Sequence, residues 1–137
     1  MQEVINVEWN NLFGDGRLIT IEIVALTSEA IDKAVPAGIM PGNYVIGRLT
    51  GNTLNVIYVG RVDYRQDEGL KDRLKEHIGE WYGNLYFYWN KADSVKESFE
   101  TECKMYHFWL EHEGILENRI HPRKPTDQNY TCPVCGQ

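Results

Sequence analysis

The strongest structural signal in the sequence is at residues 94–109, which read Ser-Val-Lys-Glu-Ser-Phe-Glu-Thr-Glu-Cys-Lys-Met-Tyr-His-Phe-Trp. Apolar side chains recur between Val95 and Trp109 at helical spacings and draw one stripe along a helix. Glu102 lies midway along that stripe, so its carboxylate faces the core. A buried carboxylate is destabilising unless a cation, a metal ion or hydrogen bonds satisfy it. The sequence therefore leaves two interpretations of Glu102 open, an ion pair with an arginine or a metal ligand.

Helix signals bracket this stretch and also mark a second helix upstream. Ser94 and Glu97 form a capping box that begins the Glu102 helix, and Gly114 is its predicted end. Apolar spacing predicts the upstream helix over 70–81, with Arg73 and His77 one turn apart at the border of its apolar side. A plain surface pair is the alternative interpretation of those two residues.

Runs of β-branched and aromatic residues predict a small sheet between and before these helices. The runs are Asn43 to Leu49, Leu54 to Arg61 and Leu85 to Trp89. We expect an α+β (α/β) fold with a three-stranded, largely antiparallel sheet, flanked by helices on one side.

The predicted organisation has a main domain with additions at both ends. Residues 1–17 are polar and indicate a loose start, Leu18 to Ala25 a strand, and Thr27 to about Lys33 a capped helix. We expect this part to cover a sheet edge or to mediate dimer contacts. The predicted parts are an N-terminal extension packing on the core at 1–40, the main domain at 41–122 and a tail with a Cys-x-x-Cys at 123–137.

The composition is that of one folded domain. The chain has 137 residues, 12% of them aromatic, and a net charge of −6. It lacks an apolar run of about 18 residues and a secretion signal, so we expect a cytoplasmic protein with no membrane partner. Three cysteines fit a reducing compartment better than a disulfide framework. The acidic balance argues against a generic nucleic-acid coat, although residues 61–73 carry enough basic side chains for a local patch.

The turn between the first two predicted strands decides whether Tyr44 and Tyr58 share a face. A turn centred on one residue of the Thr50–Thr53 segment puts both tyrosines on the same face, whereas a two-residue turn puts them on opposite faces. The sequence alone leaves both turns open.

An ordered set of polar residues across 41–122 resembles the GIY-YIG nuclease superfamily. No member of the set is specific alone, but the order is. Its members are Gly42-Asn43-Tyr44, Tyr58-Val59-Gly60, Arg73, His77, Glu102 and Asn118. The chain departs from the family in having Asn43 at an aliphatic position and a longer gap between the two tyrosines, and neither change removes a reactive group. The Cys-Pro-Val-Cys end also resembles a bacterial branch of small stand-alone members.

The resemblance implies a metal-dependent endonuclease that hydrolyses one DNA phosphodiester bond at a time, in repair, recombination or restriction. It implies that Glu102 is the sole protein ligand of Mg²⁺ or Mn²⁺, which suits a cation that keeps most of its waters. Tyr44 would be the general base that activates water, and His77 would accept or relay its proton. Arg73 would bind the scissile phosphate through its planar fork of donors.

The same resemblance gives supporting roles to three further residues. Tyr58 would position the phosphate or the water, Arg61 would add a DNA contact, and Asn118 would hold the site together by hydrogen bonds. The alternative is that the tyrosines only pack in the sheet and Arg73 pairs with Glu102. A non-catalytic module that keeps the fold to bind nucleic acid or protein therefore stays open. Without a DNA-reading helix-turn-helix, we expect a protein partner or a homodimer to supply specificity.

The terminal Cys132-x-x-Cys135 resembles half of a zinc site. The expected third ligand is His121. The candidates for completing the set are Cys103, His107 and His112, or a residue of a second chain. A metal-free reduced tail is the alternative, and a thioredoxin-like role is disfavoured because no helix begins at the motif.

Overall fold

The computed structural model describes residues 3–63, 69–112, 116–118, 120–125 and 128–137. The predicted helix end at Gly114 lies outside these residues. The described elements are β1 (Val4–Asn10), β2 (Leu18–Ala25), α1 (Ser28–Ala34), β3 (Gly42–Thr50), β4 (Thr53–Val62), α2 (Leu70–Glu76), β5 (Leu85–Lys91) and α3 (Val95–His112). None of the described helices combines the length and apolar character that a membrane crossing requires.

One antiparallel sheet of five strands, in the order β1-β2-β5-β3-β4, forms the centre of the fold. The predicted α+β class is confirmed, but the predicted number of three strands is wrong. The strand that was not predicted is β1, which pairs with β2 along its whole length. Only Val7 and Trp9 of β1 are fully buried. An edge strand needs apolar residues on one face alone, so its polar half resembled a loop.

The first forty residues share this sheet with the rest of the chain. Val24 and Ala25 of β2 pair with Phe87 and Tyr86 of β5. The loose start predicted for 1–17 is therefore wrong over β1.

Helices cover both faces of the sheet. The side-chain amide of Asn43 donates to the Ser98 carbonyl of α3 at 2.8 Å. The next residue, Tyr44, bonds His77 at the end of α2 at 2.8 Å. Because consecutive residues of a strand point to opposite faces, α2 and α3 lie on opposite faces. The expectation of helices on one side is wrong because a central sheet has two apolar faces to bury.

A two-residue turn closes the β3–β4 hairpin. Thr50 pairs with Thr53 around it. An uninterrupted register from that turn would pair Tyr58 with Val45, on the face opposite to Tyr44.

A β-bulge at Ile57 reverses that outcome. Tyr58 pairs with Ile46, and Val56 pairs with the next residue of β3, so Ile57 is the extra residue on β4. Tyr58 therefore faces the same side as Tyr44, and the two ring centroids lie 6.2 Å apart.

Gly60 lies opposite Tyr44 in the ladder and leaves room for its ring. A Cβ atom at Gly60 would lie 2.4 Å from the ring carbon Cζ of Tyr44. Any side chain at this position would therefore displace the tyrosine.

Helix α2 is shorter than the sequence predicted. It ends at Glu76 with His77 as its C-cap, and Gly79 adopts a φ of 81° shortly after. Because a left-handed glycine ends a helix, the predicted inner residue Ile78 is 40% exposed.

Candidate active site and tail cluster

A polar cavity of about 360 Å³ lies beside β4, the edge strand of the sheet. At this edge the face covered by α2 and the face covered by α3 meet. The lining residues are Tyr58, Arg61, Asp63, Arg73, Glu102, Asn118, Ile120, His121, Pro122 and Arg123. The cavity therefore gathers predicted site residues from both faces and from the tail.

A hydrogen-bonded chain runs from β3 through α2. The Tyr44 hydroxyl lies 2.8 Å from Nε2 of His77, and Nδ1 of His77 lies 2.5 Å from a carboxylate oxygen of Glu80. Because the carboxylate accepts from Nδ1–H, Nε2 is left as the acceptor of the Tyr44 hydroxyl when the ring is neutral. Glu80 was not among the predicted site residues, although its position three residues after His77 would put the two side chains side by side on a helix.

Burial keeps Tyr44 and His77 uncharged. It lowers the pKa of His77 below its usual value, although Glu80 acts in the opposite direction. Burial, with smaller contributions from Tyr58 and Glu102, raises the pKa of Tyr44 well above its usual value. At neutral pH the tyrosine is thus a hydroxyl and the histidine an imidazole that can accept its proton.

Tyr58 and Arg73 stand between this chain and the cavity. Tyr44 has no exposed surface, whereas Tyr58 is half-buried and lines the cavity. The positive charge of Arg73 lies close enough to both tyrosines to oppose the rise that burial causes in their pKa values, and Arg73 forms an ion pair with Glu76 at 3.3 Å. The Tyr58 ring lies 4.7 Å from the His77 ring between centroids. Water can therefore reach the Tyr44 oxygen only when a neighbour moves.

The Glu102 carboxylate faces the cavity from α3 in an ion pair with Arg61. Both side chains are largely buried, and Arg61 also donates to the Arg123 carbonyl at 2.6 Å. Burial raises the pKa of Glu102, while the Arg61 charge opposes that shift. The arginine partner of Glu102 is thus Arg61, which the sequence analysis assigned to DNA, and not Arg73. The Nε atom of Arg61 is buried without a hydrogen-bond partner.

Asn118 binds the backbone of the edge strand. Its amide oxygen accepts from the Val59 N–H at 2.9 Å, and its amide nitrogen donates to the Val59 carbonyl at 2.7 Å. The two bonds imitate a strand partner at the free edge of β4, so Asn118 fixes the strand that carries Tyr58 and Arg61.

A second group of functional side chains lies where the tail meets α3. The ligand atoms of His107, His121, Cys132 and Cys135 lie within 4.8 Å of one another. Sγ of Cys135 lies 3.5 Å from Nε2 of His121, and Nδ1 of His121 lies 2.9 Å from the Pro122 carbonyl. Because Nδ1–H donates to that carbonyl, Nε2 presents a lone pair to the cluster. We call these four residues the tail cluster.

The structure selects among the candidates for the remaining ligand. Nε2 of His107 is buried without a hydrogen-bond partner, as expected of an atom that awaits a ligand. Cys103 packs beside Cys132 in a small apolar cluster with Phe99 but lies outside the group of close ligand atoms, and burial raises its pKa. His112 is exposed and bonded to the Phe108 carbonyl.

The thiol of Cys132 ionises readily. Burial opposes ionisation, but hydrogen bonds from the backbone at Cys135 and Val134 lower the pKa of Cys132 to about 6. A thiolate is the form that binds metals.

The fold thus brings the predicted residues together in two groups. Tyr44, Tyr58, Arg73 and His77 meet on the α2 side, and Arg61 and Glu102 meet on the α3 side. No family model, curated protein or solved structure matches the chain.

Proposed function

We propose that this chain is a metal-dependent DNA endonuclease of the GIY-YIG type. The observation that carries the proposal is the Tyr44–His77 hydrogen bond of 2.8 Å behind a cavity that Arg73 and Glu102 line. These four residues come from three elements: β3, α2 with its C-cap, and α3. Packing alone does not require a neutral proton acceptor, a cation and a carboxylate around one cavity.

The proton path begins at Tyr44. When Arg73 turns toward a scissile phosphate, it uncovers the Tyr44 oxygen to water. The water oxygen then bonds to phosphorus as its proton passes to Tyr44, whose own proton passes to Nε2 of His77. The phosphorus–oxygen bond to the leaving sugar breaks, and that oxygen takes a proton from solvent. Glu80 stabilises the resulting imidazolium through Nδ1.

Glu102 is the residue that would hold Mg²⁺ or Mn²⁺. Its carboxylate borders a polar cavity with room for metal-bound water, and Asp63 and His121 line the same cavity. One carboxylate plus substrate oxygens suits a hard cation that stays hydrated. The ion pair with Arg61 uses one carboxylate oxygen, Oε1. When bound, the metal would stabilise negative charge on the phosphate.

Zinc is the second metal of the proposal. The tail cluster offers two sulfur and two imidazole ligands, the set that favours Zn²⁺ over Mg²⁺. With bonds of about 2.0–2.3 Å, tetrahedral ligands lie roughly 3.3–3.8 Å apart, so the cluster needs only a small contraction. The proposed pathway is DNA repair, recombination or restriction, with a partner or a second copy supplying specificity.

Nicking of supercoiled plasmid and branched DNA in Mg²⁺ or Mn²⁺ tests the nuclease proposal. We expect Glu102→Gln and Tyr44→Phe each to lose on the order of 10²-fold or more of the wild-type rate. Matched controls are Glu111→Gln, at an exposed site on the same helix, and Tyr82→Phe, at a tyrosine that is 82% exposed. Both should stay within about twofold of wild type.

Two outcomes would sink the proposal. Wild-type protein that nicks no substrate with either metal would favour the binding module, which the net charge of −6 and the satisfied Glu102 carboxylate already suit. Variants at Glu102 and Tyr44 that nick as fast as the controls would place the chemistry elsewhere.

A further inference from the structure

The segment 121–123 belongs to the tail cluster and to the cavity at once. His121 contributes Nε2 to the cluster while its ring lines the cavity. Two residues later, the Arg123 carbonyl accepts from Arg61 at 2.6 Å. Arg61 in turn holds the Glu102 carboxylate. An unbroken line of contacts therefore joins the tail cluster to the proposed metal ligand.

Besides the packing of Cys132 and Tyr130 against Phe99 and Cys103, few contacts of the described residues hold the tail in place. Residues 128–137 form no helix or strand, and the backbone hydrogen bonds of these described residues stay within 125–137. Within the cluster, the sulfur–imidazole contact of 3.5 Å is a weak hydrogen bond, and His107 has no partner for Nε2. A metal ion would add four bonds to these weak contacts, and in small metal sites that binding free energy is folding free energy.

We propose that Zn²⁺ bound by His107, His121, Cys132 and Cys135 clamps the tail over the cavity and so sets the position of Arg61 and Glu102. The role of the clamp in nicking rests on the proposed function, whereas zinc binding and the position of Arg61 do not. His107 lies on α3 five residues after Glu102, so the metal ties the tail to the helix that carries the carboxylate. Zinc here would be a positioning element, because four protein ligands leave no open coordination position for substrate.

The first test measures zinc itself on the full chain. Purified wild-type protein should retain one zinc ion per chain, and His107→Gln and Cys135→Ser should each lose most of it. His112→Gln, a histidine on the same helix outside the cluster, should retain the full amount. A His107→Gln variant that keeps wild-type zinc, or a wild type that binds none, would overturn the ligand set.

The second test follows the consequence at Arg61. Its Nε–H is buried, so its ¹H–¹⁵N signal, assigned by its loss in Arg61→Lys, reports the position of the guanidinium. Removing zinc with phenanthroline should shift this signal and speed trypsin cleavage of the exposed Arg123–Lys124 bond by about tenfold or more, and added zinc should reverse both. A signal that stays in place when zinc leaves would overturn the clamp.

The third test separates the clamp from the nuclease proposal. If wild type nicks DNA, removing zinc should slow nicking by about tenfold or more in Mg²⁺, because Arg61 and Glu102 lose their positions. Wild-type protein that never nicks would overturn the proposed function alone, since zinc content and the Arg61 signal are measured without DNA. An unchanged nicking rate in zinc-free protein would overturn the role of the clamp.

Discussion

The cavity has two walls built on different principles. The tyrosine–histidine wall (Tyr44, Tyr58, His77 and Glu80) lies on the α2 face, with Tyr58 lining the cavity and the other three behind it. Its tyrosines and its histidine are neutral, and the Glu80 carboxylate holds the histidine by a hydrogen bond. The carboxylate wall (Arg61, Glu102 and the Arg123 carbonyl) lies on the α3 face and works with buried charges.

The walls differ most in what supports them. The first is fixed by the β3–β4 ladder and by the end of α2, all within forty residues of one another. The second needs a carbonyl from a tail whose described residues form no helix or strand. One half of a site can thus be held in place by the core while the other half depends on a segment remote in sequence. We expect changes to the two halves to differ in kind.

The largest effect should come from breaking the buried ion pair in the carboxylate wall. Arg61→Met leaves Glu102 without its cation and should lower the free energy of unfolding by about 3 kcal/mol. Glu102→Met should cost a similar amount, because it strands the arginine. The double variant should recover most of the loss, since an apolar pair of similar volume needs no compensation. Urea unfolding of all four proteins with zinc present measures the cycle, and strictly additive losses would contradict a coupled pair.

A smaller loss should come from crowding the tyrosine–histidine wall. Gly60→Ala places a methyl group 2.4 Å from Cζ of Tyr44 and should cost about 2 kcal/mol of unfolding free energy. Gly42→Ala is the matched control in the same hairpin, because its Cβ would meet its nearest atom at 3.1 Å. Equal stability losses in the two variants would show that the Tyr44 ring has room to move.

The smallest effect should be a change in pH dependence at Glu80. Nicking requires neutral His77, so the rate should fall on the acid side of the His77 pKa. The groups around His77 are Tyr44 and Tyr58 from the sheet and Arg73, Glu76 and Glu80 from α2 and its end. Because the Glu80 carboxylate raises the pKa of His77, Glu80→Gln should move the acid limb to lower pH.

The measurement is the nicking rate against pH, with Glu111→Gln as the control for a lost charge. Well above the acid limb, the Glu80→Gln rate should fall by less than about tenfold, since the amide oxygen still accepts from Nδ1. An acid limb that stays in place would mean that Glu80 does not govern the protonation of His77.

The sequence revealed the local features of this site and missed the features that depend on register. Periodicity identified α3 and the burial of Glu102, and turn residues placed the hairpin. No local pattern could identify the partner of Glu102, because Arg61 and Arg73 are equally good cations and tertiary packing decides between them. Strand β1 was missed because half of its residues face outward. His107 emerged as the cluster ligand only when the tail was folded back on α3.

The bulge at Ile57 has a consequence for how this chain can tolerate length changes. It divides the hairpin into an outer part, which obeys the turn, and an inner part, which carries both tyrosines and is fixed by the pairing of β3 with β5. A residue gained or lost near Gly51 changes which face each side chain of the outer part points to. The bulge can take up this change of register, so that it does not reach Tyr58. The tip of the hairpin is thus a place where this protein can accept insertions, including a grafted peptide, while the faces of its two tyrosines stay the same.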